Sequence, residues 1–224
     1  MEPKTSKTVV VLAAVVALAI GTFGGYMIGN MSKMEVKENT MSEQSTEKAD
    51  LRVGLNNALR EHVTSSLTVT RNIVDGASVD KIAGAKAAQT ANAVAIATTV
   101  GDIYGKEAQD AITTPFVEHI TQSNNYAQAV ANNDSMAQAT ALTALRAELR
   151  KVATIFNSVI PSVPADALYD ALSAHEDLLN QAAVEYKAGN FAKAYQLEND
   201  ALVQISGGAE VLATGIVESK PDMF

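Results

Sequence analysis

FVEHI, residues 116–120, puts a Glu-His pair on the apolar side of a helical pattern, and the same neighbourhood recurs as LREHV (59–63) and LSAHE (172–176). His62, His119 and His175 are the three histidines of the chain. They stand 57 and 56 residues apart (119 − 62 and 175 − 119), and so regular a period reads as an internal repeat. Seven and three residues before each histidine stand Leu55 and Leu59, Ile112 and Phe116, and Leu168 and Leu172. Thirteen or fourteen residues after each comes a stretch that tolerates left-handed backbone and ends helices: Asp75-Gly76, Asn132-Asn133-Asp134 and Gly189-Asn190.

Each unit therefore reads as helix, tight turn, helix. The first helices are expected over 48–74, 106–131 and 165–188, and the second over 78–100, 135–158 and 190–217. GDIYG (101–105) and IPSVP (160–164) read as breakers between units. No segment alternates apolar and polar residues with period two over a useful length, so strands are not expected. The expected fold is all-α, an antiparallel bundle of about six helices built from three hairpins. A closed bundle is favoured over an open stack, because three units would leave a solenoid poorly capped.

The chain has 224 residues, enough for a sizeable core. Aromatic residues make up 5% and there is no Trp, so Ala, Val, Leu and Ile must build that core. The formal net charge is −8 and Lys and Arg are scattered, which argues against nucleic acid as a partner. The absence of Cys excludes disulfides, thiolate metal sites and a cysteine nucleophile.

Residues 8–29 (TVVVLAAVVALAIGTFGGYMIG) carry no charge and are long enough to span a bilayer. Lys4 and Lys7 precede them, so residues 1–7 are expected in the cytoplasm and everything after Gly29 outside, on a single-pass, uncleaved anchor in the cell membrane. A cleaved signal peptide is the rival, but the run is long and lacks an A-x-A-like site. Gly21, Gly25 and Gly29 share one helical face, through which a homo-oligomer could form. Residues 30–47 are polar and read as a tether with some helical tendency. Met27, Met31, Met34 and Met41 read there as a helical stripe, although thioethers also suit Cu(I).

The positions around each histidine form one helical stripe, completed seven residues later by Val69, Tyr126 and Ala182. Each histidine is about 20 Å from its turn at 1.5 Å per residue, so all three should lie at one height. If the odd-numbered helices converge, three imidazoles meet there, a ligand set that suits Zn or Cu, and His can also hold haem iron. His62, His119 and His175 are then the candidate metal residues, with Glu61, Glu118 and Glu176 as partners behind them. The competing reading is that a duplicated hairpin simply keeps a core histidine in each copy. No E-x-x-H or H-x-x-x-H pair makes one helix bidentate, as di-iron bundles require. Nucleophile elbow, P-loop and dinucleotide motifs are absent, so no enzyme is expected and no catalytic residue is assigned.

YGKEAQDAITTPFVEHI (104–120) and NSVIPSVPADALYDALSAH (157–175) resemble a family of small, secreted or membrane-anchored, all-helical bacterial proteins with no established activity. The resemblance covers roughly 51–224 and rests on Tyr104-Gly105, Glu118-His119, Pro161, Pro164 and His175 in matching order. It implies the helical fold. The family's polar residues on the second helix and histidines on the last fall where this chain has Ala95, Leu202 and Gln204, which weakens the metal reading. The expected function is an extracytoplasmic helical-bundle binding protein, with a metal, haem, a small ligand or an envelope protein as its partner. The alternative is a structural or assembly module of the cell envelope without a ligand.

Overall fold

The computed structural model describes the backbone of residues 31–224 and the side chains of residues 46–224. The membrane anchor and its glycine face, read from residues 8–29, lie outside the described residues. Among the described residues no helix is long and apolar enough to cross a membrane.

Six helices make up the described chain: α1 (Met31–Val74), α2 (Val79–Tyr104), α3 (Lys106–Ala131), α4 (Ser135–Val159), α5 (Ala165–Lys187) and α6 (Phe191–Ser219). The all-α expectation holds. Two boundaries differ from the sequence reading. Residues 31–47, expected as a tether, are helical, in keeping with their Glu, Lys and Met content. GDIYG is not a five-residue breaker: α2 runs to Tyr104, and Gly105 alone separates it from α3. Gly105 has φ 95° and ψ 168°, a backbone that favours glycine.

The compact unit Glu47–Phe224 holds the bundle. Its three hairpins share one turn geometry. Gly76 (φ 66°), Asn133 (φ 54°) and Gly189 (φ 80°) take left-handed backbone, each fourteen residues after its histidine (76 − 62, 133 − 119, 189 − 175). In each turn an amide reaches back five residues: Ala77 N to Asn72 O, Asp134 N to Ala129 O, and Asn190 N to Glu185 O. This i→i−5 bond with a left-handed residue before it is the Schellman closure of a helix end. Three repetitions of it are the backbone signature of the repeat.

Each helix packs on the next along the chain, and the series closes on itself. Arg60 Nη1 of α1 donates to Leu202 O of α6 at 3.1 Å, and Arg71 and Arg52 of α1 pair with Glu198 and Glu210 of α6. Across the middle, α3 packs on α5. The odd-numbered helices thus face one another inside the bundle. The loop 160–164 tucks Ile160 and Val163 into the core beside α6. Gly215 is what permits this: a Cβ there would collide with Val163, and Ser162 Oγ donates to Gly215 O at 2.9 Å.

Candidate functional site

The histidines do converge. His62 on α1, His119 on α3 and His175 on α5 are all buried, at 3%, 4% and 3% exposure. The His62 and His119 ring centroids are 5.4 Å apart, and Phe116, one turn earlier on α3, lies against both rings at 5.2 and 4.7 Å. His175 lies near enough to His62 and His119 that a proton on one of the rings disfavours a proton on its neighbours.

Burial holds all three rings neutral. It pushes the His62 pKa down to about 4, opposed by the Asn92 side chain. It pushes His175 down to about 3, with the neighbouring His62 adding to the effect and Gln204 opposing it. His119 falls well below the ordinary histidine range through burial, then through His62 and His175, with the backbone carbonyls of Phe116 and Pro115 pulling the other way. Neutral imidazole is the form that binds metals, and it must keep one N–H.

The glutamates next to the histidines part company. Glu61 is exposed, and Glu118 is half-buried and accepts from Gln122 of its own helix at 2.7 Å. Glu176 alone turns inward, at 2% exposure, with its carboxylate 4.0 Å from His119 Nε2 and accepting from Ser123 Oγ at 3.1 Å. The difference is one of helical phase. Glu61 and Glu118 precede their histidines and Glu176 follows its own, and a step of one residue rotates a side chain by about 100° in opposite senses. Burial raises the Glu176 pKa to about 7, against the opposing effects of Ser123 and Arg146, with Asp177 adding to the rise. With His119 neutral, the pair is a carboxyl facing an imidazole rather than an ion pair.

Toward the hairpin turns, the histidine level adjoins a polar network that sequence reasoning did not single out. Gln89 Nε2 donates to Ser66 Oγ at 2.9 Å, Asn124 Nδ2 donates to Gln89 Oε1 at 3.0 Å, and Ser66 Oγ donates to His62 O at 2.9 Å. Asn92 Nδ2 donates to Ala58 O at 3.1 Å. The usable signal was the helical phase of Gln89 and Asn124, which face the same interior as the histidines.

On the other side lies the main apolar core, and within it a cavity of about 50 Å³. Every one of the six helices lines it, with Leu59 and Phe116 just below the histidines and Leu55, Phe156 and Ile216 further down. Gln204 stands at its edge, donating from Nε2 to Ala171 O at 2.9 Å.

Four ring nitrogens at the histidine level make no well-formed hydrogen bond (His62 Nδ1, His119 Nδ1 and both nitrogens of His175), although Asn92, Gln204 and the Phe116 and Pro115 carbonyls stand close enough to act on the rings. Gln204 Oε1, Asn92 Oδ1 and Asn180 Nδ2 share that condition. As the rings stand, no group of three or more His, Asp or Glu among the described residues is arranged to hold a metal ion. Comparison with profiles of protein families, with curated protein sequences and with solved structures found no match to this chain.

Proposed function

We propose that this chain is a membrane-anchored, extracytoplasmic helical-bundle binding protein, not an enzyme, and that it takes its ligand into the bundle interior at the histidine level. The observation that supports this is the set of three buried, neutral imidazoles on three converging helices, four of whose ring nitrogens make no well-formed hydrogen bond. A buried donor or acceptor left unmade costs about 1–3 kcal/mol. A ligand that engages these nitrogens removes that cost and so binds with it as part of its driving force.

Two ligand chemistries meet this description. A transition metal such as Zn or Cu, or haem iron, would use the neutral imidazoles, but only after the rings turn toward a common centre. A small organic molecule would hydrogen-bond to the ring nitrogens and place its apolar part in the adjoining cavity. The second reading is a structural or assembly module, and the three matching hairpin turns favour it, because a duplicated hairpin keeps its histidine whatever that histidine does.

Mass spectrometry of the full chain, purified without chelators, tests this reading, followed by titration with Zn(II), Cu(II) and haem. Stoichiometric metal, or a co-purified small molecule, that is lost in His175→Ala is the expected result. A chain that carries nothing and takes up nothing would leave the structural module standing.

A further inference from the structure

The three hairpins repeat closely, so a place where one departs from the others stands out. The residues that follow the three histidines are Val63, Ile120 and Glu176. All are buried, at 0%, 3% and 2% exposure. Two repeats fill this position with an aliphatic side chain and the third fills it with a carboxyl. Burying a carboxyl costs stability unless it finds a partner, and Val63 and Ile120 show that packing does not ask for one.

A second departure falls on the same spot. Asn92, Glu148 and Gln204 each stand thirteen residues beyond the start of the second helix of their hairpin (92 − 79, 148 − 135, 204 − 191). Asn92 acts on the His62 ring and Gln204 on the His175 ring. Glu148 turns instead to Lys151 of its own helix at 2.7 Å. His119 is left with the carbonyls of Phe116 and Pro115, and its Nε2 faces Glu176 Oε1 at 4.0 Å. A neutral imidazole that keeps its hydrogen toward those carbonyls presents a bare lone pair at Nε2. A lone pair and a carboxylate then face each other with no donor between them.

The size of that gap is informative. A divalent transition ion bonds imidazole nitrogen and carboxylate oxygen at about 2.0–2.2 Å, so it just spans the separation, and a closure of roughly 0.6 Å makes the angle tetrahedral. Two imidazoles on one such ion hold their ring centres roughly 5 Å apart. The His62 and His119 centroids are 5.4 Å apart. Asn92, by engaging one nitrogen of His62, leaves the other for an ion, as partners of ligating histidines do. The apolar cavity beside the rings, about 50 Å³, is one third of the roughly 150 Å³ that admits benzene, so haem and ring compounds do not fit it. A bare ion needs only the gap between its ligands.

Access lies on the far side of Glu176. A cleft of about 200 Å³ opens between α3, α4 and α5, with Tyr126, Leu142 and Asn180 among its walls. Asn180 is one helical turn beyond Glu176, and Tyr126 is three residues beyond Ser123, which donates to Glu176. The carboxylates of Asp177 and Glu185 line the same cleft and favour cations there. Arg146, whose charge reaches Glu176, is paired with Asp177.

Resting on the reading that the bundle takes its ligand at the histidine level, we propose that this ligand is a divalent transition-metal ion held by Glu176, His119 and His62, with His175 beside them, and admitted through the α3–α4–α5 cleft. The rings turn inward to close the set. Imidazole and carboxylate without sulfur suit Zn(II), Co(II) or Ni(II) and not Cu(I). Glu176 supplies the negative charge that a buried dication needs.

Titration of the full chain in detergent micelles with Co(II) tests this, read by the visible bands of a four-coordinate ion, with Zn(II) as competitor. Expected are one ion per chain and displacement by Zn(II). Losing a partner behind a ligand costs 10–100-fold in affinity, so Glu176→Val, which gives the third hairpin the residue of the first, should lose at least about a hundredfold. Its circular dichroism should stay that of the folded bundle. Glu176→Gln keeps the shape without the charge and should lose about tenfold or more. Leu142→Trp, which fills the cleft, should slow uptake severalfold and leave the end point unchanged, and an unchanged rate would overturn the entrance. If both Glu176 variants bind as the wild type does while His175→Ala does not, Glu176 is no ligand and the binding function survives. An organic molecule that co-purifies without metal overturns the ion and likewise leaves the binding function standing. A chain that takes up neither overturns both.

Discussion

The two sides of the histidine level are packed by different rules. On the side of the hairpin turns, Gln89 uses both ends of its amide, to Ser66 and from Asn124. On the other side, Leu, Ile, Val and Phe surround a cavity of about 50 Å³. At about 24 cal/mol per Å³ such a gap costs roughly 1 kcal/mol, less than many single unmade buried hydrogen bonds. A polar interior must be completed, whereas an apolar one can stand incomplete. The histidines sit where the two meet, and there the polar requirement is left open.

Acidification should produce the largest effect. Each histidine has a folded pKa below its ordinary value of 6.5, so the unfolded chain takes up protons first as pH falls through 6.5. Stability from these groups is present above pH 6.5 and is lost as pH drops toward 4. Glu176 acts in the opposite sense. Its folded pKa of about 7 lies above the unfolded 4.5, so it destabilises the fold increasingly as pH rises from about 4.5 to 7. Three protons taken up by the unfolded state against one by the folded state leave a net loss, roughly 3 kcal/mol per pH unit at its steepest. Melting temperatures between pH 8 and 4 should show this acid limb. His175→Leu should make it shallower, and Glu176→Gln should raise stability most at pH 8. A flat profile would mean that the histidine level is wet and the contrast with the apolar side false.

Next in size is the loss of the polar hub. Gln89→Leu leaves Asn124 Nδ2 without its acceptor and removes the donor to Ser66, so urea unfolding should show a loss of about 2–3 kcal/mol. A neutral outcome would show that the network tolerates gaps as the apolar side does.

The smallest effect belongs to the wall of the cavity, where Gly208 stands. Gly208→Ala adds a methyl group where nothing lies within 4 Å and improves helix propensity, so it should stabilise by about 1 kcal/mol in the same assay. Gly215→Ala, on the same helix, should destabilise, because its Cβ meets Val163 and the loop it supports. If both alanines destabilise, the cavity is tighter than its lining implies.

Much of this was legible in the chain itself. The turns announced themselves because Gly76, Asn133 and Gly189 are residue types that accept a positive φ. The common height of the histidines followed from their distance to those turns. Their convergence did not, since connectivity alone does not say which helices of a bundle face inward. Gln89, Asn92 and Asn124 were passed over because a lone amide in a helix looks like part of a solvated face until its phase against a neighbour is known. Gly101 was misread as part of a breaker. It is helical, and its missing Cβ lets the Gln109 side chain of α3 lie against α2. Tyr104 then closes the helix, held by Ser219 and by Lys220 over its ring.

Gly105 carries a final consequence. As the sole residue between two helices of twenty-six residues each, it couples their rotations like a keyed shaft. From it to His119 the chain runs as one continuous helix, so a residue inserted on that path turns everything beyond it by about 100° and raises it by about 1.5 Å. His119 would leave the company of His62 and His175 with no contact in the layer itself having been altered. The alignment of three rings drawn from three separate hairpins is kept by counting along the chain, and an added or deleted residue near Gly105 changes it more than most substitutions within the layer.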